Sequence, residues 1–301
     1  MQSSDAHLEK ALSEYNARIS ELENGPVTSD LVDALQKRGK VLTLLGYGVS
    51  AAEDFIDAAE HLDSLLEDGE DVLPDLCLRT YAALGSVYAD DDDADAMREI
   101  YAKAAAFIPR LTDPVSCART CLRCAEDLCD ADFQDDCVPF AEAALASRRA
   151  EDSNGRNICF EALCLAADLK IDDKRYPRAA NLLNEAARLG GELLDSGDLY
   201  DPTAYAFCLV NLCECLMEID DREAARMYTD ALSSLLDDKQ FSDRIDSQDL
   251  SDLHGAVGKN LMELGSVEEA EKHLLRQAAF SLKGDDSILR EAIQQKLDGS
   301  R

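Results

Sequence analysis

Apolar and small residues recur along this chain at the spacing of amphipathic helices. Between positions 81 and 109 the sequence reads YAALGSVYADDDDADAMREIYAKAAAFIP. Four residues stand at i, i+3, i+4 and i+7, on one helix face: Tyr81, Leu84, Gly85 and Tyr88. After an acidic break, a second stripe continues as Met97, Tyr101 and Ala104, and Pro109 ends it. The stretch predicts two helices joined by a short turn.

The same two-helix pattern recurs six times between about residues 29 and 283. Equivalent positions on the second helices lie 40 to 46 residues apart: Ala51, Met97, Cys137, Ala179, Ala224 and Ala270. The fourth copy is expected to have a longer turn, at 172–176. In the fifth copy the buried stripe of the second helix is expected to be Ala224, Tyr228 and Ala231. Because one helix pair cannot bury its own apolar face, the copies are expected to stack.

The first pattern, with Leu-Gly, aromatic, Ala and closing Pro positions, resembles the tetratricopeptide repeat (TPR). The resemblance implies an all-α, right-handed superhelix of about six hairpins, forming a single solenoid over 1–301. We expect an N-terminal helix at 5–23 and a capping helix at 286–297. A standard TPR has 34 residues, so the longer period predicts longer helices or loops. The third, fourth and fifth copies match loosely and are equally compatible with generic helical hairpins.

In the TPR family the first helix of each pair lines a concave groove, so the resemblance also implies site residues. The motif positions that point into the groove fall on Gln36, Lys37, Lys40, Arg79, Ser86, Arg119, Arg123, Glu126, Glu161, Asn211, Glu214 and Lys259. Our predicted partner-binding set is Lys37, Lys40, Arg79, Arg119, Arg123, Glu126, Asn211 and Lys259. The N-terminal half of this groove is therefore expected to be basic.

Two of these bases resemble a more specific site. Arg119 and Arg123 match the basic positions of the carboxylate-clamp TPR proteins, which dock chaperone C-termini. The match ends there, because Gln36 and Lys40 replace a Lys and an Asn of that group, and Ala83 replaces an Asn. The wider hypothesis is capture of an acidic segment or a C-terminus by charge-assisted hydrogen bonds. The alternative is that these bases only pair with neighbouring acids.

The charge balance excludes some partners. Asp and Glu number 62 against 30 Lys and Arg, a net charge of -32 over 301 residues. Binding to nucleic acid or to an anionic membrane needs clustered positive charge, so neither is expected. An acidic coat for solubility, a basic partner and adaptation to high salt all remain open.

The expected compartment is the cytoplasm. The sequence has no apolar run of 18 residues or more, and its polar N-terminus lacks the apolar core of a signal peptide. Most of the eleven cysteines lie on helical stripes beside Leu and Ala, where Cys acts as a small hydrophobe. No oligomeric state follows from the sequence.

No catalytic or cofactor motif emerges. Cys117, Cys121 and Cys124 stand at i, i+4 and i+7 among helix formers, which favours core packing over a metal site. Asp90–Asp93 lacks the Gly and the closing Glu of a calcium-binding EF-hand loop, so we expect a solvated turn. We predict no cofactor, no metal and no enzyme activity.

The leading hypothesis is a protein-binding scaffold. The alternatives are a peptide-gated intracellular regulator and, less favoured, a metal or redox protein using the Cys cluster.

Overall fold

The computed structural model describes residues 2–281, and side chains from residue 6 onwards. In that range the chain forms fourteen α-helices and no strand. Their bounds are α1 Gln2–Leu22, α2 Ser29–Leu44, α3 Gly48–Glu67, α4 Pro74–Asp90, α5 Ala94–Ala105, α6 Pro114–Asp130, α7 Gln134–Ala144, α8 Ser153–Asp172, α9 Tyr176–Ser196, α10 Pro202–Glu218, α11 Arg222–Asp237, α12 Lys239–Ser242, α13 Ser247–Glu263 and α14 Val267–Ser281. Short 3-10 helices occupy Ile108–Arg110 and Leu145–Arg149.

Six antiparallel hairpins make up the fold: α2/α3, α4/α5, α6/α7, α8/α9, α10/α11 and α13/α14. This confirms the predicted all-α, TPR-like solenoid of helical hairpins. The chain divides into two compact units, Met1–Ala150 and Glu151–Arg301. We call them unit 1 and unit 2. The single-domain boundary stays a prediction, and the capping helix expected at 286–297 lies outside the described residues.

Every hairpin turns in the same way. Three residues separate the two helices, and the middle one is left-handed, with φ between 56° and 87°. The six are Gly46, Asp92, Asp132, Lys174, Asp220 and Gly265. The next residue donates its N–H to the carbonyl of the residue five positions earlier, at 2.7–2.9 Å, closing a Schellman motif. The longer turn expected in the fourth hairpin is therefore wrong, because α8 continues to Asp172.

A small residue lies seven positions before each left-handed residue, where the two helices approach. In the second hairpin a Cβ at Gly85 would collide with the ring of Tyr101, and in the first a Cβ at Gly39 would meet Phe55. In the sixth, Gly258 faces Leu274 in the same way. In the fifth, Thr229 donates to the Cys213 sulfur at 3.5 Å. In four of the six hairpins, therefore, a small residue of the first helix contacts the equivalent residue of the second helix.

The Thr229–Cys213 contact shows that the buried stripe predicted for α11 is wrong. Ala224, Tyr228 and Ala231 are not its buried positions, since the core side is Ala225, Thr229, Leu232 and Leu236. Two overlapping stripes run along this helix, one residue apart. Because Thr229 is polar, the stripe that contains it looked less apolar than the predicted one. In the structure the Thr229 hydroxyl donates to the carbonyl of Ala225 at 2.8 Å, so it is satisfied inside the core.

Part of the acidic excess serves the helix starts. Seven helices begin at an aspartate whose carboxylate accepts from a backbone N–H of the first turn. These N-caps are Asp93, Asp113, Asp152, Asp201, Asp221, Asp238 and Asp246. An anion here also interacts favourably with the helix dipole. The acidic turn Asp90–Asp93 is one such hairpin turn, with Asp93 capping α5 at 3.1 Å from the N–H of Ala96.

Two buried histidines connect the helices of the last hairpin in unit 2, with His254 on α13 and His273 on α14. The Nδ1 atoms of His254 and His273 lie 2.9 Å apart, and His273 Nε2 lies 2.9 Å from the Ser233 hydroxyl. One ring must carry a hydrogen on Nδ1 and the other must accept it, so at least the accepting ring is neutral. Burial, and for His254 the neighbouring His273, lower the pKa of His254 to about 3. Burial and Arg276 lower the pKa of His273 to about 4.

We expect Gly85→Ala to lower the free energy of unfolding by about 1–3 kcal/mol, because the new Cβ must push the Tyr101 ring out of its buried position. Chemical denaturation followed by circular dichroism measures this. Gly48→Ala is the matched control: Gly48 is also helical, but a Cβ there meets nothing within 4 Å. Equal stability of the two variants would contradict the packing described here.

The histidine pair predicts a pH-dependent stability. Since the folded-state pKa values lie below the ordinary value of 6.5, the unfolded chain binds protons first as pH falls. The stabilisation is therefore complete above about pH 6.5 and declines as pH approaches about 4. Unfolding curves between about pH 8 and about pH 5 should show this decline for the wild type. The double variant His254→Leu/His273→Leu should show a smaller decline, and identical slopes would contradict the assignment.

Candidate peptide-binding face

In unit 1 the first helices of three hairpins, α2, α4 and α6, lie side by side. Gln36 on α2 donates to the Thr80 hydroxyl on α4 at 2.9 Å, and this bond is buried. Farther along α4, the Ser86 hydroxyl accepts a hydrogen bond from Arg123 on α6. Since Arg79 and Ser86 stand seven residues apart, they share one face of α4. These links bring the polar faces of the three helices together.

Three bases from these helices converge. Lys40 follows Gln36 by one turn of α2, and Arg79 precedes Thr80 on α4. The pKa of Lys40 is lowered, first by desolvation and then by the like charges of Arg79 and Arg123. Lys40 is nevertheless exposed to solvent. We call Lys40, Arg79 and Arg123 the basic cluster.

No described acid forms a salt bridge with this cluster, although Asp33, Asp75 and Asp127 act on its charges from farther away. Among the described contacts, no salt bridge involves Lys40, Arg79 or Arg123. Other bases of unit 1 are paired: Arg38 with the buried Asp54 at 2.6 Å, Arg98 with Asp136 at 2.6 Å and Lys103 with Asp63 at 3.0 Å. In a chain with two acids for every base, a group of three cations without a salt bridge is unusual.

The other predicted residues of unit 1 lie around the cluster or take other partners. Lys37 is exposed and bonds Asp33, one turn earlier on α2, at 2.6 Å. Arg119 and Glu126 are exposed on α6, on the turns before and after Arg123. Gln36, assigned to the groove lining, is 1% exposed and holds α2 against α4. Its role is therefore structural.

Unit 2 presents a different face on its first helices. Asn211 on α10 donates to Asp168 on α8 at 3.0 Å, and Lys259 on α13 lies 3.2 Å from Glu214 on α10. Both residues of the predicted set in this unit thus contact acids. Burial raises the pKa of Asp168 to about 6, against the opposing hydrogen bond from Asn211. Asp168 was missed from sequence, although it stands seven residues after Glu161 on the same face of α8.

The cysteine-rich helix α6 shows core packing. Cys117, Cys121 and Cys124 are at most 1% exposed, and burial raises the pKa of Cys121 to about 12. A thiol in this state is a poor metal ligand and a poor nucleophile. Across residues 2–281, no group of three or more His, Cys, Asp or Glu side chains is arranged to hold a metal ion.

The fold has counterparts among solved structures. The apo form of RapI aligns with a TM-score of 0.56 at 14% identity, over 97% of this chain and 86% of that one. Aspartyl phosphate phosphatase F from Bacillus subtilis aligns at 0.54 and 14%, over 95% and 77%. PilF from Pseudomonas aeruginosa aligns at 0.51 and 15%, over 88% and 97%. No protein-family model matches the sequence, and no curated protein matches it.

The chain is thus a TPR-like helical-repeat protein, the class that the hairpins and these likenesses define together. At such low identities the likeness concerns the fold alone. None of the helices within the described residues combines the length and apolar character needed to cross a bilayer.

The convergence of the basic cluster can be tested on Lys40. Since Arg79 and Arg123 help to lower the pKa of its ammonium, Arg79→Ala/Arg123→Ala should raise that pKa and slow acylation of Lys40 near pH 8. Competitive labelling read by mass spectrometry measures the rate. Labelling of Lys239, an exposed lysine in unit 2, should not change. An unchanged rate at Lys40 would show that the three cations do not interact.

Proposed function

We propose that this protein is a non-catalytic interaction protein that binds an acidic peptide segment or C-terminus on the α2, α4 and α6 face of unit 1. The observation that carries the proposal is the basic cluster, whose three cations have no salt-bridge partner among the described residues. Carboxylates of a partner would supply the missing neutralisation by charge-assisted hydrogen bonds.

The repulsion among the three cations in the unbound protein supports the proposal. The like charges of Arg79 and Arg123 act against the protonated form of Lys40, so the free protein is destabilised where they meet. A bound carboxylate reverses the sign of that interaction. The stabilisation gained on binding therefore includes relief of repulsion as well as new hydrogen bonds.

The remaining charge of the protein limits the class of ligand. With a net charge of -32, the protein repels long polyanions at a distance. A short segment can place a few carboxylates on the cluster while keeping the rest of its length neutral. This favours an acidic motif or chain end within a peptide over nucleic acid or a uniformly acidic chain. A regulator gated by such a peptide would use the same face and remains the alternative.

Binding of a fluorescent peptide that ends in three aspartates tests the proposal. The wild type should bind it more tightly than the matched three-asparagine peptide, whose C-terminus is amidated. The variant Arg79→Ala/Arg123→Ala should bind at least about tenfold more weakly, since a hydrogen bond to a charged group contributes about 1.5–3 kcal/mol. Raising the salt from about 0.15 M to about 1 M should weaken binding as well.

The matched control is Arg98→Ala/Arg110→Ala, which removes the same charge from other exposed sites of unit 1. It should bind like the wild type. If both double variants lose affinity equally, net charge rather than the cluster attracts the peptide. If neither loses affinity, or if the asparagine peptide binds as well, the proposed site is wrong.

A further inference from the structure

Two cysteines meet across the turn of the third hairpin. Cys129 is in the last turn of α6 and Cys137 in the first turn of α7. The Cys129 thiol donates to the Cys137 sulfur, and the two sulfur atoms lie 2.9 Å apart without a disulfide bond between them. A disulfide bond needs about 2.05 Å, so the sulfurs must approach by less than about 1 Å.

The turn between them holds the pair in place. Asp132 is left-handed, and the N–H of Phe133 bonds the carbonyl of Leu128 at 2.8 Å, which fixes where α7 begins. Both cysteines lie within a turn of this motif. Because the two helix ends are held together before any reaction, the chain-ordering cost of closing a bridge is already met by folding.

Accessibility distinguishes Cys129 from most of the other cysteines. Of the eleven cysteines, Cys129 and Cys164 are the two that are half-buried rather than buried. Cys137 is fully buried, at 0% exposed. A small oxidant can therefore reach Cys129 before Cys137. This is the arrangement of an attacked thiol with a resolving thiol.

We propose that Cys129 and Cys137 form a thiol-oxidation site that a hydroperoxide converts into a disulfide bridge between α6 and α7. The sulfur of Cys129 attacks one peroxide oxygen, the O–O bond breaks, and water leaves once the departing oxygen is protonated. Cys129 is then a sulfenic acid. The sulfur of Cys137 attacks the Cys129 sulfur, the S–O bond breaks, and the thiol proton leaves with the oxygen as a second water.

The electrons balance in these two steps. Two thiols and one hydrogen peroxide give one disulfide and two waters, and the sulfurs lose the two electrons that the peroxide gains. A buried neighbour within 2.9 Å diverts the sulfenic acid before a second peroxide can oxidise it further. The bridge would join the ends of the helices that carry Arg123 and Phe140. The inference does not depend on the proposed peptide-binding face.

Peptide mapping of the oxidised full-length protein tests the proposal. The reduced wild type is treated with dilute hydrogen peroxide, its remaining thiols are blocked, and it is cleaved at aspartate. Four aspartates lie between the two cysteines: Asp130, Asp132, Asp135 and Asp136. Cleavage therefore puts Cys129 and Cys137 in separate peptides that stay together only when bridged. We expect this linked pair to be the first oxidation product.

Two variants sharpen the test. In Cys137→Ser, Cys129 should accumulate as sulfenic and then sulfinic acid, because the resolving thiol is gone. Cys164→Ser is the matched control, since Cys164 is equally half-buried and contacts a cysteine of its own, Cys208. It should form the Cys129–Cys137 bridge at the wild-type rate. Circular dichroism checks that each variant is folded.

A sulfinic acid at Cys129 of the wild type, with no linked pair, would overturn the proposal. So would resistance of Cys129 to peroxide. A further comparison needs no variant. When the protein is oxidised in urea, the eleven cysteines should form disulfides in many different pairs. If the native protein gives the same scatter, the 2.9 Å approach does not direct the reaction.

Discussion

The close approach of two helices at a small residue is the constraint on which each hairpin depends. At Gly85 the Tyr101 ring occupies the space that a Cβ would need, and Gly39 and Phe55 meet in the same way. This contact sets the distance between the helices, and the left-handed residue seven positions later reverses the chain. Together they fix which side of each first helix remains free to carry polar groups.

The polar faces follow from that geometry. With their apolar sides committed to the hairpin partners, α2, α4 and α6 expose Lys40, Arg79 and Arg123 on a shared surface of unit 1. Some of the acids act elsewhere: seven cap helices, and others pair with single bases such as Arg38. Unit 2 balances its own first-helix polar residues internally, as Lys259 does with Glu214. The basic cluster is therefore a local group of positive charges in a protein whose net charge is strongly negative.

The sequence predicted the hairpins because the small-to-large pattern is local. Gly85 and Tyr101 stand at the spacing that the structure uses, and Cys121 and Cys124 lie in the core as expected. It failed on α11, where the buried Thr229 looked like a surface residue. A satisfied hydroxyl in a core cannot be recognised without knowing its backbone acceptor, Ala225.

The placement of these bases on first helices was predictable, but their pairing was not. Helical spacing and the TPR resemblance together placed Lys37, Lys40 and Arg79 on first helices. Whether a base is neutralised depends on distances between helices, which the sequence does not contain. Thus Lys37 pairs with Asp33, whereas Lys40 meets other cations. The burial of Gln36 and the high pKa of Asp168 depend on packing between helices in the same way.

We propose that the basic cluster, which forms no salt bridge among the described residues, binds the carboxylates of a partner. A crystal structure of the protein with an acidic peptide tests this proposal. We expect peptide carboxylates within hydrogen-bonding distance of Lys40, Arg79 and Arg123. Electron density that places the peptide on another surface, with the basic cluster still without an anionic partner, would contradict it.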